Sequence, residues 1–203
     1  GAPRIYVYNV GTGQQTLVTS STNPTFAPRW SPDGKWVLYS MAIAGNTDIY
    51  KMPSGGGSAV RLTNADGDES EPAISPDGTL IAFTASYDSD RDIYVMPVAG
   101  GRPRRVTFDG GSVRTIGWTP DGRVIYSSSI TGGGMGEVLH TVDPSGGEAK
   151  PVPLWRANDA VFGADGRSLF FTRRGLFARA RDNAVLYRGG GMEQLWRWQV
   201  GTE

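Results

Sequence analysis

One turn sequence recurs along the chain at a fixed interval, and that interval constrains the fold more than any other feature. Ser31-Pro32-Asp33-Gly34 returns as Ser75-Pro76-Asp77-Gly78, as Thr119-Pro120-Asp121-Gly122 and, degraded, as Gly163-Ala164-Asp165-Gly166, each 44 residues after the last. A second marker keeps the same step: Asp48-Ile49-Tyr50 is followed by Asp92-Ile93-Tyr94 and preceded, in phase, by Arg4-Ile5-Tyr6. A third does so as well, Leu62-Thr63 matching Val106-Thr107 forward and Val18-Thr19 backward. Three independent markers with one period define a repeat architecture.

Each repeat reads as four short strands. An aromatic or branched residue abuts each turn (Trp30, Ile74, Trp118, Phe162), and an apolar run follows it: Trp36 to Tyr39, Leu80 to Phe83, Val124 to Tyr126, Leu169 to Phe171. Proline presets the backbone angle, aspartate can bond the turn amides and glycine accepts a positive φ, so the turn joins the first and second strands as a hairpin. The Ile-Tyr segment is the third strand. Glycines follow it, and a fourth strand such as Val60 to Thr63 or Arg104 to Thr107 completes the unit. Four strands in about 44 residues is a propeller blade. A β-sandwich also predicts many short strands, but not this period. The fold class is therefore all-β, a single β-propeller domain or propeller segment over residues 1–203. It has three complete blades and partial blades at both ends: two strands before the first complete blade (Ile5 to Val10, Gln15 to Ser20) and three after the last (Ala160 to Phe162, Leu169 to Thr172, Leu195 to Val200). Such a count fits neither four full blades nor five. The chain is then a small irregular ring, or a segment whose raw edges recruit a partner and build a homo-oligomer, since unpaired strand edges pair with other chains.

Composition removes several classes of function. Twenty Lys and Arg balance twenty Asp and Glu, so no overall basic excess marks a nucleic-acid or membrane-surface binder. No stretch approaches ~18 consecutive apolar residues, which excludes a membrane-spanning helix. Zero cysteines exclude disulfides, thiolate nucleophiles and Cys-ligated metal centres. The single histidine, His140, falls in a third strand at the position held elsewhere by Lys51 and Val95, which reads as a strand side chain rather than a triad base. No phosphate-cradling glycine motif opens a helix. We therefore expect no catalytic residues and no cofactor. The chain opens Gly1-Ala2, which fits processing or an engineered start, and no signal peptide fixes its compartment.

Binding is expected on one end of the propeller. The Pro-Asp-Gly and Gly-Gly turns share one end and read as scaffold. The other end carries the second-to-third loops (Met41 to Thr47, Ala85 to Arg91, Ile130 to Gly136) and the connections between blades. Arg29, Glu71, Arg114 and Asp159 precede or lie on innermost strands and are candidate partner contacts at the channel mouth, ordinary ion pairs between blades being the other reading. The last repeat holds an insertion of 14 residues, placing five arginines, Arg179 and Arg181 among them, against one acid between Arg173 and Arg188. This segment is a candidate contact for an anion or acidic peptide, or a solvated insertion with a short helix packed on its blade. Asp66, Asp68, Asp88 and Asp90 offer hard oxygen ligands suited to calcium, but the full calcium-loop spacing is missing. Asp48 and Asp92, at the start of third strands, are expected to hydrogen-bond loop amides.

Two families supply resemblances. The run from Pro3-Arg4-Ile5-Tyr6-Val7-Tyr8 through Thr25-Phe26-Ala27-Pro28-Arg29-Trp30-Ser31-Pro32-Asp33-Gly34 to Gly45-Asn46-Thr47-Asp48-Ile49-Tyr50 closely resembles the TolB propeller. The later part, with Gly117-Trp118-Thr119-Pro120-Asp121-Gly122 and Tyr187-Arg188-Gly189-Gly190 followed by Leu195-Trp196, resembles the N-terminal propeller of tricorn-type proteases. Both use a WD40-like blade, and the split suggests a mosaic, natural or engineered. The TolB resemblance implies a periplasmic propeller that binds protein partners, notably a peptidoglycan-associated lipoprotein and the Tol translocation machinery, through its loop face and channel mouth. The tricorn resemblance implies a cytoplasmic propeller that gates peptides toward a separate serine-protease domain. The N-terminal α/β domain of the first family and the catalytic domain of the second have no counterpart in these residues. Neither resemblance implies an active site or a cofactor in this chain. The expected function is a noncatalytic protein- or peptide-binding propeller, with substrate gating for a serine peptidase as the alternative.

Overall fold

The computed structural model describes residues 2–19, 21–88, 90–129, 137–154, 157–173 and 194–201. An N-terminal hairpin pairs β1 (Tyr6–Tyr8) with β2 (Gln15–Leu17). Three four-stranded antiparallel sheets follow. The first holds β3 (Thr25–Trp30), β4 (Trp36–Ile43), β5 (Asn46–Pro53) and β6 (Val60–Arg61). The second holds β7 (Glu69–Ile74), β8 (Leu80–Asp88), β9 (Asp90–Pro97) and β10 (Arg104–Arg105). The third holds β11 (Val113–Trp118), β12 (Val124–Ser128), β13 (Val138–Val142) and β14 (Lys150–Pro151). A three-stranded sheet of β15 (Asp159–Phe162), β16 (Ser168–Arg173) and β17 (Gln194–Gln199) ends the row. Every sheet runs in sequence order, each strand antiparallel to the next. Three complete blades with a partial blade at each end are what the repeat predicts.

The repeated turn is rigid for the reasons its residues suggest. The Ser31 hydroxyl donates to Asp33 Oδ1 at 2.6 Å, and its oxygen accepts the Trp36 N–H at 3.0 Å. Ser75 repeats both bonds, to Asp77 at 2.5 Å and from Leu80 at 2.9 Å. Gly34, Gly78, Gly122 and Gly166 all take positive φ, 62 to 82°, where a side chain would be strained. Asp165 accepts the N–H groups of Arg167 and Ser168 and the Ser168 hydroxyl, which hold its carboxyl down to about 2.

Alternation along the central strands builds the core. In β4, Val37, Tyr39 and Met41 face the N-terminal hairpin with Ile5 and Val18, while Leu38 faces the second blade with Ile81 and Phe83. Further cores lie between the second and third blades (Ala82, Ile93, Val124, Tyr126) and between the third blade and the last sheet (Ile125, Leu139, Leu169, Phe171). The core is therefore four interblade layers, and no blade is stable without a neighbour.

The strands depart from expectation at their ends. Met41 to Thr47 is not an open loop: β4 and β5 stay paired out to Ile43↔Asn46, closed by Ala44 and Gly45 at φ 51° and 90°. Two positive φ values at the centre of a two-residue hairpin match the strand twist, which lets the pairing run to the tip. The second blade likewise pairs out to Asp88↔Asp90. Fourth strands are two residues long, and in the first two complete blades the Thr63 and Thr107 hydroxyl oxygens continue the connection by accepting the N–H groups of Ile49 and Ile93, each at 2.9 Å.

The register of β17 makes it the third strand of the last sheet. Thr172↔Leu195 and Phe170↔Arg197 repeat Ser40↔Ile49 and Leu38↔Lys51. His140 opposes Tyr126 as Lys51 opposes Leu38 and Val95 opposes Ala82. The second-to-third loop Ile130 to Gly136, and the basic segment with Arg179, Arg181 and its expected short helix, lie outside the described residues.

Candidate binding site on the inner strands

The first strand of every blade faces the centre, and each complete one carries an irregularity. Pairing with the second strand slips between Phe26 and Arg29, between Ser70 and Ala73, and between Thr115 and Gly117. At the first two slips the residue before a proline takes positive φ: Ala27 at 52° and Glu71 at 57°. A β-bulge re-aims side chains, and such backbone is costly for any residue but glycine. The Glu71 N–H approaches the Ser40 hydroxyl at 3.3 Å in the preceding blade, and the Glu71 carboxylate accepts from Thr84 at 3.2 Å.

Glu71, Arg114 and Asp159 come together, each from a different blade. Arg114 on β11 lies 3.8 Å from Glu71 on β7, 3.8 Å from Asp159 on β15 and 3.9 Å from Glu137. Its guanidinium also donates to the Asn158 carbonyl at 2.5 Å. All four side chains keep partial access to solvent, with Arg114 at 28%. Three carboxylates converge on one guanidinium. Burial pushes the Glu71 carboxyl above its usual range, while Arg114 and the Thr84 hydroxyl pull the other way.

Arg29 makes no ion pair within 4 Å with this cluster among the described residues, but its charge still acts on the Glu71 carboxyl. Its guanidinium donates to its own neighbour's carbonyl, Pro28, at 3.3 Å, and projects into the central groove. Two adjoining cavities, ≈390 and ≈230 Å³, share Arg29, Ile116, Ala160 and Val161. One runs toward Phe170 and Leu195, the other under Trp30, Ile74, Trp118 and Phe162, so all four inner strands wall the same groove. Trp118 is fastened by its indole N–H to the Ala73 carbonyl at 2.9 Å. Trp30, its counterpart, is 53% exposed.

The other candidates have different placements. Asp68 accepts the Thr47 N–H at 2.8 Å, and Asp88 lies 3.7 Å from Arg105. Asp66 and Asp90 are exposed. Among the described residues no three His, Cys, Asp or Glu side chains, Asp66, Asp68, Asp88 and Asp90 included, are grouped to hold a metal ion. Asp48 and Asp92 do not hold loop amides either. They accept from Arg61 and Arg105 on the adjacent fourth strands, because a buried carboxylate takes the nearest guanidinium. His140 stacks on Tyr126 at 5.5 Å with Nδ1 3.2 Å from the Val138 carbonyl, built into a strand as its position implies. Glu137 and Asn158 escape sequence reasoning. Only their placement just before a third and an inner strand hints at the cluster.

Five successive β-sheets, four of which line a central groove with their first strands, define a propeller module. A family model described as the tricorn protease N-terminal β-propeller domain matches residues 48–203, and the chain belongs to that family. Solved structures share the fold. TolB from Acinetobacter baumannii is 24% identical with a TM-score of 0.76, the match covering 97% of this chain and 46% of that one. A putative TolB from Agrobacterium tumefaciens is 20% identical with a TM-score of 0.61, covering 98% of this chain and 91% of that one. The tricorn protease is 22% identical with a TM-score of 0.67, covering 86% of this chain and 17% of that one. The chain thus spans about half the Acinetobacter TolB chain and a smaller share of the tricorn protease. No described helix is long and apolar enough to cross a membrane.

Proposed function

We propose that the chain is a noncatalytic propeller module that binds an extended protein or peptide segment along its inner strands. The observation that carries this is the groove itself: an apolar trough walled by four blades, with Arg29 inside it and the Glu71–Arg114–Asp159 cluster at hand. Apolar walls with few fixed polar groups suit a peptide whose side chains are buried while Arg29 takes a carbonyl or carboxylate. Arg179 and Arg181 belong to the same proposal as contacts for acidic residues of the partner. Intrinsic fluorescence tests it, because Trp30 lies in the wall: titrating a panel of extended peptides is expected to give saturable quenching, weakened at least about tenfold by Arg29→Ala. A panel that leaves the fluorescence unchanged, or binds wild type and variant equally, rejects the reading.

A second reading, gating of peptides toward a serine-peptidase domain, is favoured by the family match over residues 48–203. It predicts weak binding indifferent to peptide sequence, whereas a dedicated partner gives selective binding. The compartment follows the role, periplasmic for TolB-like partner binding and cytoplasmic for tricorn-like gating. We also propose that the partial blades associate between copies. Tyr6, Tyr8 and Leu17 at one end and Val161, Leu195 and Trp196 at the other are all more than 40% exposed.

A further inference from the structure

The junction between the first and second complete blades contains a buried acid that none of its counterparts has. Glu69 opens β7 and is 0% exposed. Steps of 44 residues place Thr25, Val113 and Ala157 at the equivalent positions, all uncharged. At the preceding junction Thr25 lies 3.5 Å, hydroxyl to hydroxyl, from Thr19, the counterpart of Thr63. Glu69 therefore places a carboxyl where the repeat otherwise has a neutral group.

A second buried acid faces the same site. Asp48, 2% exposed, accepts from Arg61 at 2.7 Å through Oδ2. Its counterpart in the next blade, Asp92, takes Arg105 on one oxygen and the Thr107 hydroxyl, at 2.8 Å, on the other. Thr63 holds the Thr107 position, but its hydroxyl is turned toward Glu69, and Asp48 Oδ1 has no donor. Neither oxygen of Glu69 is within hydrogen-bond geometry of a protein donor; the Tyr87 and Thr63 hydroxyls are the groups turned toward it. Three of the four buried carboxylate oxygens thus have no donor, and the Arg61 guanidinium is committed to the fourth.

We propose that Glu69 holds a proton in the folded chain, and that losing this proton loosens the junction between the first and second complete blades. A carboxylate buried without a donor, with the charge of Asp48 beside it, is costly, and a proton on Glu69 removes that cost. The charged and titratable groups around Glu69 are Asp48 and Tyr50 on β5, Arg61 on β6, Tyr87 and Asp88 on β8, Tyr94 on β9, Asp68 in the connection between blades, and Arg102 and Arg105 beside Tyr94 and Asp88. Of the three cations, Arg61 pairs with Asp48 and Arg105 with Asp88 and Asp92, while Arg102 lines the cavity beside Thr63 and Tyr87. Thr63 and Tyr87 line a ≈280 Å³ cavity between the two blades, which supplies a route for the proton to solvent.

Burial pushes the Glu69 carboxyl up to about 7, from an ordinary 4.5. The folded chain binds the proton more tightly than the unfolded chain does, so this contribution to stability is complete below 4.5 and is lost as pH rises through about 7.

The test is denaturant unfolding of wild type and Glu69→Gln between about pH 5 and pH 8. Glutamine keeps the shape and remains neutral throughout. The wild-type unfolding constant is expected to rise by up to about tenfold per pH unit relative to the variant between pH 4.5 and 7. Identical pH dependence in the two proteins overturns the proposal. Difference infrared spectroscopy supplies a second readout that needs no variant. The carbonyl stretch of a protonated carboxyl, shielded from exchange, is expected in wild type at mildly acid pH and lost above about pH 8. A spectrum without that band at about pH 5.5 to 6, where ordinary carboxyls are already ionised, overturns it even if the variant does not fold.

Discussion

Arg114 shows how much one residue can organise in a repeat protein. It reaches acids from the blades on both sides of its own, Glu71 at 3.8 Å and Asp159 at 3.8 Å. Truncating it removes the one guanidinium within 4 Å of all three carboxylates and leaves Glu71 only the more distant charges of Arg29 and Arg91. Because the guanidinium keeps 28% exposure, solvent screens part of this, and Arg114→Gln is expected to cost about 1–2 kcal/mol in urea unfolding. A loss under about 0.3 kcal/mol would show that the cluster is a surface feature only. Asp165 gives a sharper residue-scale expectation. Its carboxyl is held at about 2, below its ordinary 3.8, so the stability it contributes is present above 3.8 and disappears as pH falls through about 2. Asp165→Asn should flatten that part of the acid-unfolding curve, which a circular-dichroism titration between pH 4 and 2 reads directly. At this scale the sequence revealed only part. The position of Arg114 at an innermost strand was legible, and so was Asp165 in its turn motif. The identity of Glu137 as a fourth member was not, because it depends on where β13 starts after a variable loop. The left-handed backbone at Glu71 was hidden for another reason: Ser70-Glu71-Pro72 carries no glycine to announce a positive φ.

The second complete blade has a bond set that joins its third and fourth strands where the ladder is shortest. β10 has only two paired residues, and Asp92, Arg105 and Thr107 extend the connection. The Thr107 oxygen accepts the Ile93 N–H at 2.9 Å while its proton goes to Asp92 at 2.8 Å. Thr107→Val keeps the shape and removes both bonds, leaving a buried amide without its acceptor. The expected cost is about 2–3 kcal/mol, measured as a lower urea midpoint with an unchanged slope. An unaltered midpoint would mean that water replaces the hydroxyl. The repeat made the strands themselves readable, since Ile93, Thr107 and their counterparts keep one phase through the chain. It did not reveal the bond set. Asp92 and Arg105 are 13 residues apart, and only the antiparallel return of the fourth strand brings them together. Strand ends were misread for a related reason: Ala44-Gly45 looks like part of a loop until cross-strand pairing beyond Met41 shows that it is a tight hairpin.

For the whole molecule, the arrangement of cores argues that the chain does not finish its own surface. Four apolar layers separate five sheets, so each complete blade is covered on both sides. The first and last sheets have one covered face each among the described residues. Trp30 illustrates the consequence. Its counterpart Trp118 donates to an inner strand in the blade before it, whereas before β3 the described chain has only the β1–β2 hairpin, which lacks a first strand. Val161 and Leu195 are exposed by 66% and 76% at the opposite end. Apolar faces and open strand edges of this kind drive association. The chain mass is 21.8 kDa, and light scattering on a size-exclusion column is expected to return at least twice that value. Leu195→Lys, which places a charge on the last strand's exposed position, is expected to shift the mass toward 21.8 kDa without changing the circular-dichroism spectrum. A monodisperse wild-type monomer would mean instead that the terminal sheets cover each other within one chain. The groove on the inner strands would then be enclosed by this chain alone, and a peptide would have to thread it from one end.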